Sequence, residues 1–231
     1  VSVMYTYILN LVRRRDRRER MEERLRAASI SKWSFVEGLD SQELSMSPDG
    51  TLTSSNLYCA WVSHTWAMRQ IQDGGDDFAL VLEDDAVLSN RTHWPQTLSA
   101  IEDFMTRESM EYLQIGHISA AYPQRILSKT IKGWIFRSKE ADTLPLPELA
   151  NSVLLGQSRA GAHAYVISRR LAGLVPAYNI PTWVGPDGFF DRLASATFAE
   201  GSLRMGTLRH SLVEQESREF VGSTIDSDNF T

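Results

Sequence analysis

The sequence has a single cysteine, Cys59, among its 231 residues. One thiol forms neither an internal disulfide nor a zinc site built from several cysteines, and it is typical of proteins from reducing compartments. Long apolar runs are also absent, and none approaches the roughly 20 residues of a membrane-spanning helix. The arginines from Arg13 onward follow an apolar segment, whereas a signal peptide carries its charges first. We therefore expect a cytoplasmic protein without a transmembrane segment, and a peripheral contact with the inner membrane surface stays open.

Strong charge of one sign is lacking as well, because 24 Lys and Arg residues stand against 29 Asp and Glu residues. The net charge of -5 counts against nucleic acid as a partner. The arginines are nevertheless concentrated, since residues 13–26 hold eight of them beside four acidic residues. This segment is either a solvated helix with i,i+4 ion pairs or one side of a site for an anionic ligand. The pattern alone leaves both interpretations open.

Strand-like and helical patterns alternate along the chain. An apolar strand over residues 3–9 precedes the capping-box spacing of Asp16 and Glu19, which predicts the start of a helix. Helical spacing predicts another helix over residues 55–72, and Ser168 is expected to cap a later one. Further strands are predicted over residues 78–82, 111–116, 162–167 and 203–208. This alternation predicts an α/β fold with a sheet flanked by helices.

Two segments lack this regularity. Residues 117–150 show no clear period, and we expect them to form an irregular excursion. Residues 222–231 are expected to be a polar tail. The chain shows no internal repeat, so a single domain over residues 1–231 is the simplest organisation.

Three acidic residues, Glu83, Asp84 and Asp85, directly follow the predicted strand over residues 78–82. Adjacent carboxylates repel one another, so their burial in a cleft is costly unless a cation or a proton compensates. Magnesium and manganese ions prefer oxygen ligands and are usually held by one or two carboxylates together with phosphate oxygens. Glu83 and Asp85 would point the same way on an extended chain, so we predict them for the metal site, where one binds the ion and the other binds the ion or ligand hydroxyls. An acidic surface turn is the alternative.

Two other kinds of protein with acidic residues after a strand fit less well. A bacterial receiver domain opens with its acidic strand and ends its third strand in a phosphoaccepting Asp, whereas the strand over residues 111–116 is followed by His117. An aspartyl phosphatase requires an Asp directly after the strand and a second Asp two residues later, followed by Thr. The order here is Glu-Asp-Asp-Ala-Val.

Several segments, taken in order, resemble glycosyltransferase family 25, whose members include lipooligosaccharide galactosyltransferases and collagen-type transferases. Tyr7–Met21 (YILNLVRRRDRRERM) is similar to the opening strand and arginine-rich loop of that family. Cys59, Ser63 and His64 fit its Cys-x-x-x-Ser-His helix. Later matches are Phe78–Leu88 (FALVLEDDAVL), Gly161–Arg170 (GAHAYVISRR), Pro186–Asp187 and, more loosely, Gln215. The ordered matches span nearly the whole chain.

The resemblance implies a GT-A type, Rossmann-like fold with a mixed, mainly parallel sheet flanked by helices. It also implies an inverting transferase that moves a hexose, galactose or glucose, from a UDP-sugar to an acceptor hydroxyl. The expected acceptor is a saccharide or glycoconjugate, as in lipopolysaccharide biosynthesis, and the expected cofactor is Mn²⁺ or Mg²⁺. Residues 1–116 would bind the nucleotide sugar and the metal, and residues 151–221 would form the acceptor and catalytic part. A non-catalytic nucleotide-sugar binding protein with the same fold is the alternative.

Roles for individual residues follow from the resemblance together with the chemistry. Asp187 is the predicted base that deprotonates the acceptor hydroxyl, and Asp191, one helical turn further on, is its competitor. Asp187 also fits a helix cap, and His64 also fits a buried core histidine. The expected donor-binding residues are Asn10, Arg14, Arg17, Ser63, His64 and Asp84. The aromatic residues expected to stack on an acceptor sugar are Trp183, Phe189 and Phe190.

Overall fold

A computed structural model of the chain describes residues 4–42, 55–90, 92–117, 151–177 and 185–216. Trp183, residues 118–150 of the predicted excursion and the predicted tail at 222–231 lie outside these residues. The helices in the described parts are α1 (Arg15–Ala27), α2 (Ser55–Asp73), α3 (Trp94–Arg107), α4 (Arg169–Leu174) and α5 (Pro186–Glu200). None of them is both long enough and apolar enough to cross a bilayer.

One sheet contains the nine strands of the described residues. The strands are β1 (Tyr5–Asn10), β2 (Trp33–Glu37), β3 (Phe78–Glu83), β4 (Ala86–Leu88), β5 (Met110–Gly116), β6 (Val153–Leu155), β7 (Ala164–Ser168), β8 (Arg204–Leu208) and β9 (Val213–Gln215). The main path runs β2-β1-β3-β7-β5-β8-β6, and β9 pairs with both β4 and β5.

The sheet contains both parallel and antiparallel strand pairs. Strands β2, β1 and β3 are parallel, so their carboxyl ends meet at one edge. Strand β7 runs antiparallel to both β3 and β5, whereas β5 and β8 are parallel. The expected mixed sheet flanked by helices is therefore confirmed. The edge at the ends of β1, β2 and β3 is where open α/β sheets bind ligands.

Helices cover both faces of this sheet. Because side chains alternate along a strand, Ile8, Leu80 and Leu82 face one side, where they join the core with residues of α1 and α3. Val81 and Tyr165 face the other side, where they join residues of α2, α4 and α5. The next residue of β3 on this second side is Glu83. Strand alternation thus directs the first acidic residue toward α2.

The two predicted helix caps have different outcomes. Ser168 caps α4 as predicted, since its hydroxyl accepts a hydrogen bond of 3.0 Å from the Leu171 N–H. The capping box of Asp16 and Glu19 is wrong, because α1 begins at Arg15 and Asp16 lies inside the first turn. The Asp16 carboxylate accepts two hydrogen bonds of 2.9 Å from the Arg14 guanidinium, which holds its pKa well below its usual range. Both Asp16 oxygens therefore bond to Arg14, whereas in a capping box this carboxylate would accept a hydrogen bond from the Glu19 N–H.

Candidate active site

A cleft of about 610 Å³ opens at the carboxyl ends of β1, β2 and β3. Its walls come from the segments that follow these strands, from the first half of α2, from the start of α5 and from the end of β9. Residues that line it include Asn10, Arg13, Arg17, Gly38, Ser63, His64, Glu83, Asp84, Asp85, Asp187, Gln215 and Glu216. Most of the residues that the sequence singles out therefore meet in one place, although they come from both halves of the chain.

Asp84 joins the end of strand β1 to helix α1. Its Oδ2 accepts a hydrogen bond of 2.8 Å from the Asn10 amide, and its Oδ1 accepts one of 2.8 Å from Arg17. Burial raises the pKa of Asp84, while Arg17 and Asn10 act in the opposite direction. Because both carboxylate oxygens are bonded to protein groups, Asp84 holds the ligand-facing residues Asn10 and Arg17 in place.

Asp85 is held less tightly than Asp84. Its carboxylate accepts long hydrogen bonds of 3.3 Å from Arg17 and 3.3 and 3.4 Å from the Gln215 amide. Burial raises its pKa, and the neighbouring charge of Glu83 adds to this effect. Asp84 and Asp85 form a turn between β3 and β4. The expectation that Glu83 and Asp85 share one side of an extended chain is therefore wrong, since the extended geometry ends at Glu83.

Glu83 lies on the α2 side of the cleft, where its Oε1 is 3.4 Å from the Nε2 of His64. Burial raises the pKa of the Glu83 carboxyl to about 7, and the negative charge of Asp187 contributes next. His64 is 1% exposed, and burial lowers its pKa to about 4, so the ring is neutral near pH 7. Its Nδ1 lies 2.7 Å from the hydroxyl of Tyr165. His64 is thus both a buried core residue and part of the cleft lining.

Ser63, the residue before His64, fixes the loop after β2. Its hydroxyl donates to the Cys59 carbonyl at 2.7 Å and accepts from the Leu39 N–H at 2.9 Å. The only proton of this hydroxyl is therefore used inside the protein. Ser63 lines the cleft, but these bonds indicate that it shapes the wall next to Leu39.

Asp187 lies in the first turn of α5 and lines the cleft. Its two oxygens accept hydrogen bonds from consecutive backbone N–H groups, 2.7 Å from Gly161 and 2.9 Å from Ala162. A carboxylate has about four lone-pair sites, so each oxygen can accept one more proton or hydrogen bond. Asp191 is exposed and does not line the cleft. The geometry therefore favours Asp187 over Asp191 for any role in the reaction.

The aromatic residues after Asp187 lie in the core. Phe190 is fully buried and stacks on Tyr112 with ring centroids 4.5 Å apart. Phe189 is 7% exposed and packs on Trp61 at 4.6 Å. Their prediction as acceptor-stacking residues does not agree with this burial, because the apolar face of α5 turns both rings inward. Trp183 lies outside the described residues.

The arginine-rich loop contributes a different residue than expected. Arg14 pairs with Asp16 and does not line the cleft, so the structure does not bring it to the site. Arg13 lines the cleft instead and forms an ion pair with Asp40, which is buried after β2. The spacing within a run of three arginines could not distinguish between them, because the loop conformation decides which side chain turns inward.

Helix α1 presents a stripe of arginines, Arg17, Arg20 and Arg24, to the acidic turn and to Glu216. Arg20 and Arg24 both pair with the Glu216 carboxylate, and Arg24 also donates to the Ala86 carbonyl at 2.9 Å. The backbone N–H of Glu216 donates to the Asp85 carbonyl at 2.9 Å. The outer face of α1 carries i,i+4 ion pairs such as Arg26 with Glu22. The solvated helix with i,i+4 ion pairs is therefore confirmed for the outer face, and the anionic-ligand site stays a prediction for the face that carries Arg17.

The carboxylates fit a metal ion only together with a bound anion. Within the described parts of the chain, no three His, Cys, Asp or Glu side chains are grouped so that they could hold a metal. Glu83 and Asp85, however, face the cleft with long hydrogen bonds and raised pKa values. In proteins, Mg²⁺ is usually bound by one or two carboxylates together with phosphate oxygens of the substrate. Glu83 and Asp85 would thus supply at most two ligands of such an ion, and the others would have to come from a bound anion or water.

A cleft with arginines on one side and carboxylates on the other, at the ends of parallel strands, suits a phosphorylated ligand. No curated protein shows significant similarity to the chain. The family model described as glycosyltransferase family 25 (LPS biosynthesis protein) matches residues 4–181, well over half of the chain, and the cleft-lining residues at 185–188 and 215–216 lie beyond the match. On this match, the chain belongs to glycosyltransferase family 25.

Proposed function

We propose that the protein transfers a hexose from a UDP-sugar to a hydroxyl group of a saccharide, with inversion at the anomeric carbon and with Mn²⁺ or Mg²⁺ as cofactor. Membership of family 25 supports glycosyl transfer in lipopolysaccharide biosynthesis. The observation that carries the finer proposal is the pairing of Arg17 with the acidic turn at the carboxyl ends of β1 and β3. A GT-A type arrangement of donor and metal would use this edge.

Arg13 and Arg17 are the cations available to the diphosphate of the donor. Both line the cleft, and the Asp84 carboxylate holds Arg17 in place. Guanidinium groups form short, charge-assisted hydrogen bonds to phosphate oxygens, and groups that are already oriented lose little energy in reorganising. We expect Asn10, which is bonded to Asp84, to set the conformation of the same loop.

Glu83 and Asp85 are the residues that would hold the divalent cation, with donor phosphate oxygens as the remaining ligands. When bound, the cation supplies positive charge that neutralises the departing diphosphate. Gln215 and Arg17 then keep the Asp85 carboxylate in position from the other side, through the contacts described above. Such outer contacts orient metal ligands and commonly matter nearly as much as the ligands themselves.

Asp187 is the proposed base. Its free lone pairs accept the proton of the acceptor hydroxyl, while the hydroxyl oxygen forms a bond to the anomeric carbon and the bond from that carbon to the diphosphate oxygen breaks. The proton ends on the Asp187 carboxylate and the leaving group is UDP. The two backbone N–H groups of Gly161 and Ala162 hold the carboxylate in one orientation before the acceptor binds.

The test is transfer from a panel of UDP-hexoses to oligosaccharide acceptors, measured as UDP release and as product by NMR. We expect a product whose anomeric configuration is opposite to that of the donor, loss of turnover with EDTA, and recovery with Mn²⁺. Retained configuration would contradict the inverting mechanism, and full activity in EDTA would contradict the metal. Tight binding of intact UDP-sugar without transfer or hydrolysis would instead establish the non-catalytic binding protein.

A further inference from the structure

We infer that Tyr165 is a positioning residue that fixes His64 as the tautomer protonated on Nε2, and that His64 in turn orients the Glu83 carboxylate at the wall of the cleft. The tautomer is a property of the folded protein alone. The kinetic consequence of this arrangement rests on the proposed function.

The hydroxyl of Tyr165 has one hydrogen-bond partner among the described residues, the Nδ1 of His64 at 2.7 Å. Both residues are at most 1% exposed, and their rings stack with centroids 5.7 Å apart and an interplanar angle of 20°. Tyr112 and Phe190 pack against the Tyr165 ring, each with its centroid 5.2 Å away. Aromatic rings therefore pack on the Tyr165 ring, and His64 is the one hydrogen-bond partner of its hydroxyl among the described residues.

The position of the proton follows from this enclosure. A hydroxyl group carries one proton, and a buried donor left without an acceptor loses its hydrogen bond to water without replacement. If His64 were protonated on Nδ1, the hydroxyl would have to accept, and its own proton would have no acceptor among the described residues. The stable arrangement has the Tyr165 O–H donating to Nδ1. A neutral imidazole then carries its proton on Nε2.

Glu83 is the acceptor on the other side of the ring. The Nε2 of His64 lies 3.4 Å from the Glu83 Oε1. A proton on Nε2 can be donated to this carboxylate, so the contacts at both nitrogens favour the same tautomer. Two different elements fix the ends: β7 carries Tyr165, and β3 carries Glu83. These strands are paired, with Val81 opposite Tyr165, and the Glu83 N–H donates to the His163 carbonyl at 2.9 Å. The strand pairing holds both ends of the three-residue chain at a constant separation, and His64 of α2 bridges them.

Without the Tyr165 hydroxyl, Nδ1 has no partner among the described residues, and the ring gains freedom to carry its proton on either nitrogen or to turn about its Cβ–Cγ bond. Glu83 then loses a donor that keeps its carboxylate turned toward the cleft. Residues that orient a metal-binding carboxylate typically affect activity about 10- to 100-fold. We expect Tyr165→Phe to lower kcat by up to this factor and to raise the Mn²⁺ concentration that gives half-maximal activity.

The direct experiment is a long-range ¹H–¹⁵N correlation spectrum of histidine-labelled protein at pH 7, with the His64 signals assigned by their absence from His64→Gln. In the wild type we expect a protonated Nε2 and an unprotonated, hydrogen-bonded Nδ1. In Tyr165→Phe we expect signals of a second tautomer. A wild-type ring protonated on Nδ1 would overturn the inference, and so would an unchanged Nε2-protonated ring in Tyr165→Phe.

Tyr112→Phe is the matched control, because it removes a hydroxyl from a neighbouring, fully buried tyrosine that has no hydrogen bond to His64. It should leave the His64 spectrum and kcat unchanged. A loss of kcat in Tyr165→Phe no larger than in Tyr112→Phe would contradict the positioning role. If the wild type transfers no sugar to any acceptor, the proposed function fails, and the spectrum still decides the tautomer.

Discussion

Carboxylates of the same chemical type have different environments in this cleft. Both oxygens of Asp84 accept hydrogen bonds from Asn10 and Arg17. Those of Asp187 accept from two backbone N–H groups, and each has a further lone pair that can accept a hydrogen bond from a ligand. Glu83 has a long contact with His64 and a pKa raised by burial. The hydrogen-bond partners therefore distinguish three roles among the carboxylates: Asp84 stabilises the surrounding loop, Asp187 is the candidate base, and Glu83 is a candidate metal ligand.

Replacement of the base is the sharpest test at the scale of single residues. In Asp187→Asn, the amide cannot take a proton from the acceptor, so we expect kcat to fall by at least about a hundredfold. Donor binding should persist, because Arg13, Arg17 and Asp85 are untouched. The measurements are transfer rate and donor affinity by calorimetry, together with the Tm, since the amide also weakens the bonds to Gly161 and Ala162.

Asp191→Asn is the control for that variant, because Asp191 lies on the same helix but is exposed. Its kcat should match that of the wild type. If Asp191→Asn were inactive and Asp187→Asn were normal, the two assignments would have to be exchanged.

His117 makes a separate prediction about pH. Burial lowers its pKa to about 4, and its Nε2 donates to the Leu208 carbonyl at 3.0 Å. Between pH 6.5 and 4 the unfolded chain binds a proton that the folded His117 does not, so stability is full above pH 6.5 and declines as the pH falls toward 4. Each such proton changes the free energy of unfolding by about 1.4 kcal/mol per pH unit.

We therefore expect His117→Gln to reduce the slope of stability against pH in this window, measured by urea denaturation at several pH values. His64 contributes to the same slope, so the variant should remove only part of it. An unchanged slope would show that His117 titrates equally in both states.

At the scale of elements, α1 and β9 together support the acidic turn. Arg20 and Arg24 of α1 meet the Glu216 carboxylate, whose side chain is only 10% exposed, directly after β9. Glu216→Ala leaves two partly buried guanidinium groups without this partner, which should cost roughly 2 kcal/mol in the free energy of unfolding. Donor affinity should also fall, because the turn at Asp84 and Asp85 loses its support.

Glu214→Ala provides the comparison, because Glu214 lies in β9, two residues before Glu216, and is exposed. Its effect should stay within roughly 0.5 kcal/mol. Equal urea midpoints for the two variants would argue against a supporting role of Glu216.

Elements with a strong local pattern could be predicted from the sequence, and short ones could not. The apolar segments at 78–82 and 111–116 correspond to β3 and β5 within one residue at either end. The three-residue strands β4, β6 and β9 are too short to show a period, and their pairing depends on partners far along the chain. Strand β2 was missed as well, because its sequence WSFVE mixes polar and apolar residues at the edge of the sheet.

The candidate site shows the same division. Asn10, Arg17 and the acidic triplet could be predicted to meet, since both segments follow parallel strands. The exclusion of Arg14, the inward turn of Arg13 and the burial of Phe190 depend on loop conformation and helix rotation, which local spacing does not determine. The sequence predicts Tyr165 only as a buried residue of a strand. Nothing in its own segment indicates that a histidine 101 residues earlier is its hydrogen-bond partner.

At the scale of the whole molecule, donor binding should stabilise the fold by mass action. At a hundred times its dissociation constant, a ligand adds about 2.7 kcal/mol, which corresponds to a rise in Tm of roughly 5–10 °C for a domain of this size. We expect UDP-hexoses with Mn²⁺ to produce such a shift in a thermal-shift screen, and the shift in EDTA to be smaller.

Asp85→Asn should abolish the difference between Mn²⁺ and EDTA in this screen while keeping the smaller, metal-independent shift. Absence of any metal-dependent shift in the wild type with every nucleotide sugar would contradict the proposed donor site. An unchanged Mn²⁺ effect in Asp85→Asn would show that residues other than Asp85 bind the metal.

The distances along the chain between contacting residues also bear on biosynthesis. Asn10 bonds to Asp84, 74 residues later, and Arg24 pairs with Glu216, 192 residues later. Chains emerge from the ribosome from the N-terminal end at about 5–20 residues per second, so α1 waits about ten seconds or more for its last partner. During that interval the arginines of α1 and the acidic turn can already meet, but the nascent protein lacks the support from Glu216. The cleft is therefore completed only after residue 216 has left the ribosome, when every described strand has already been synthesised.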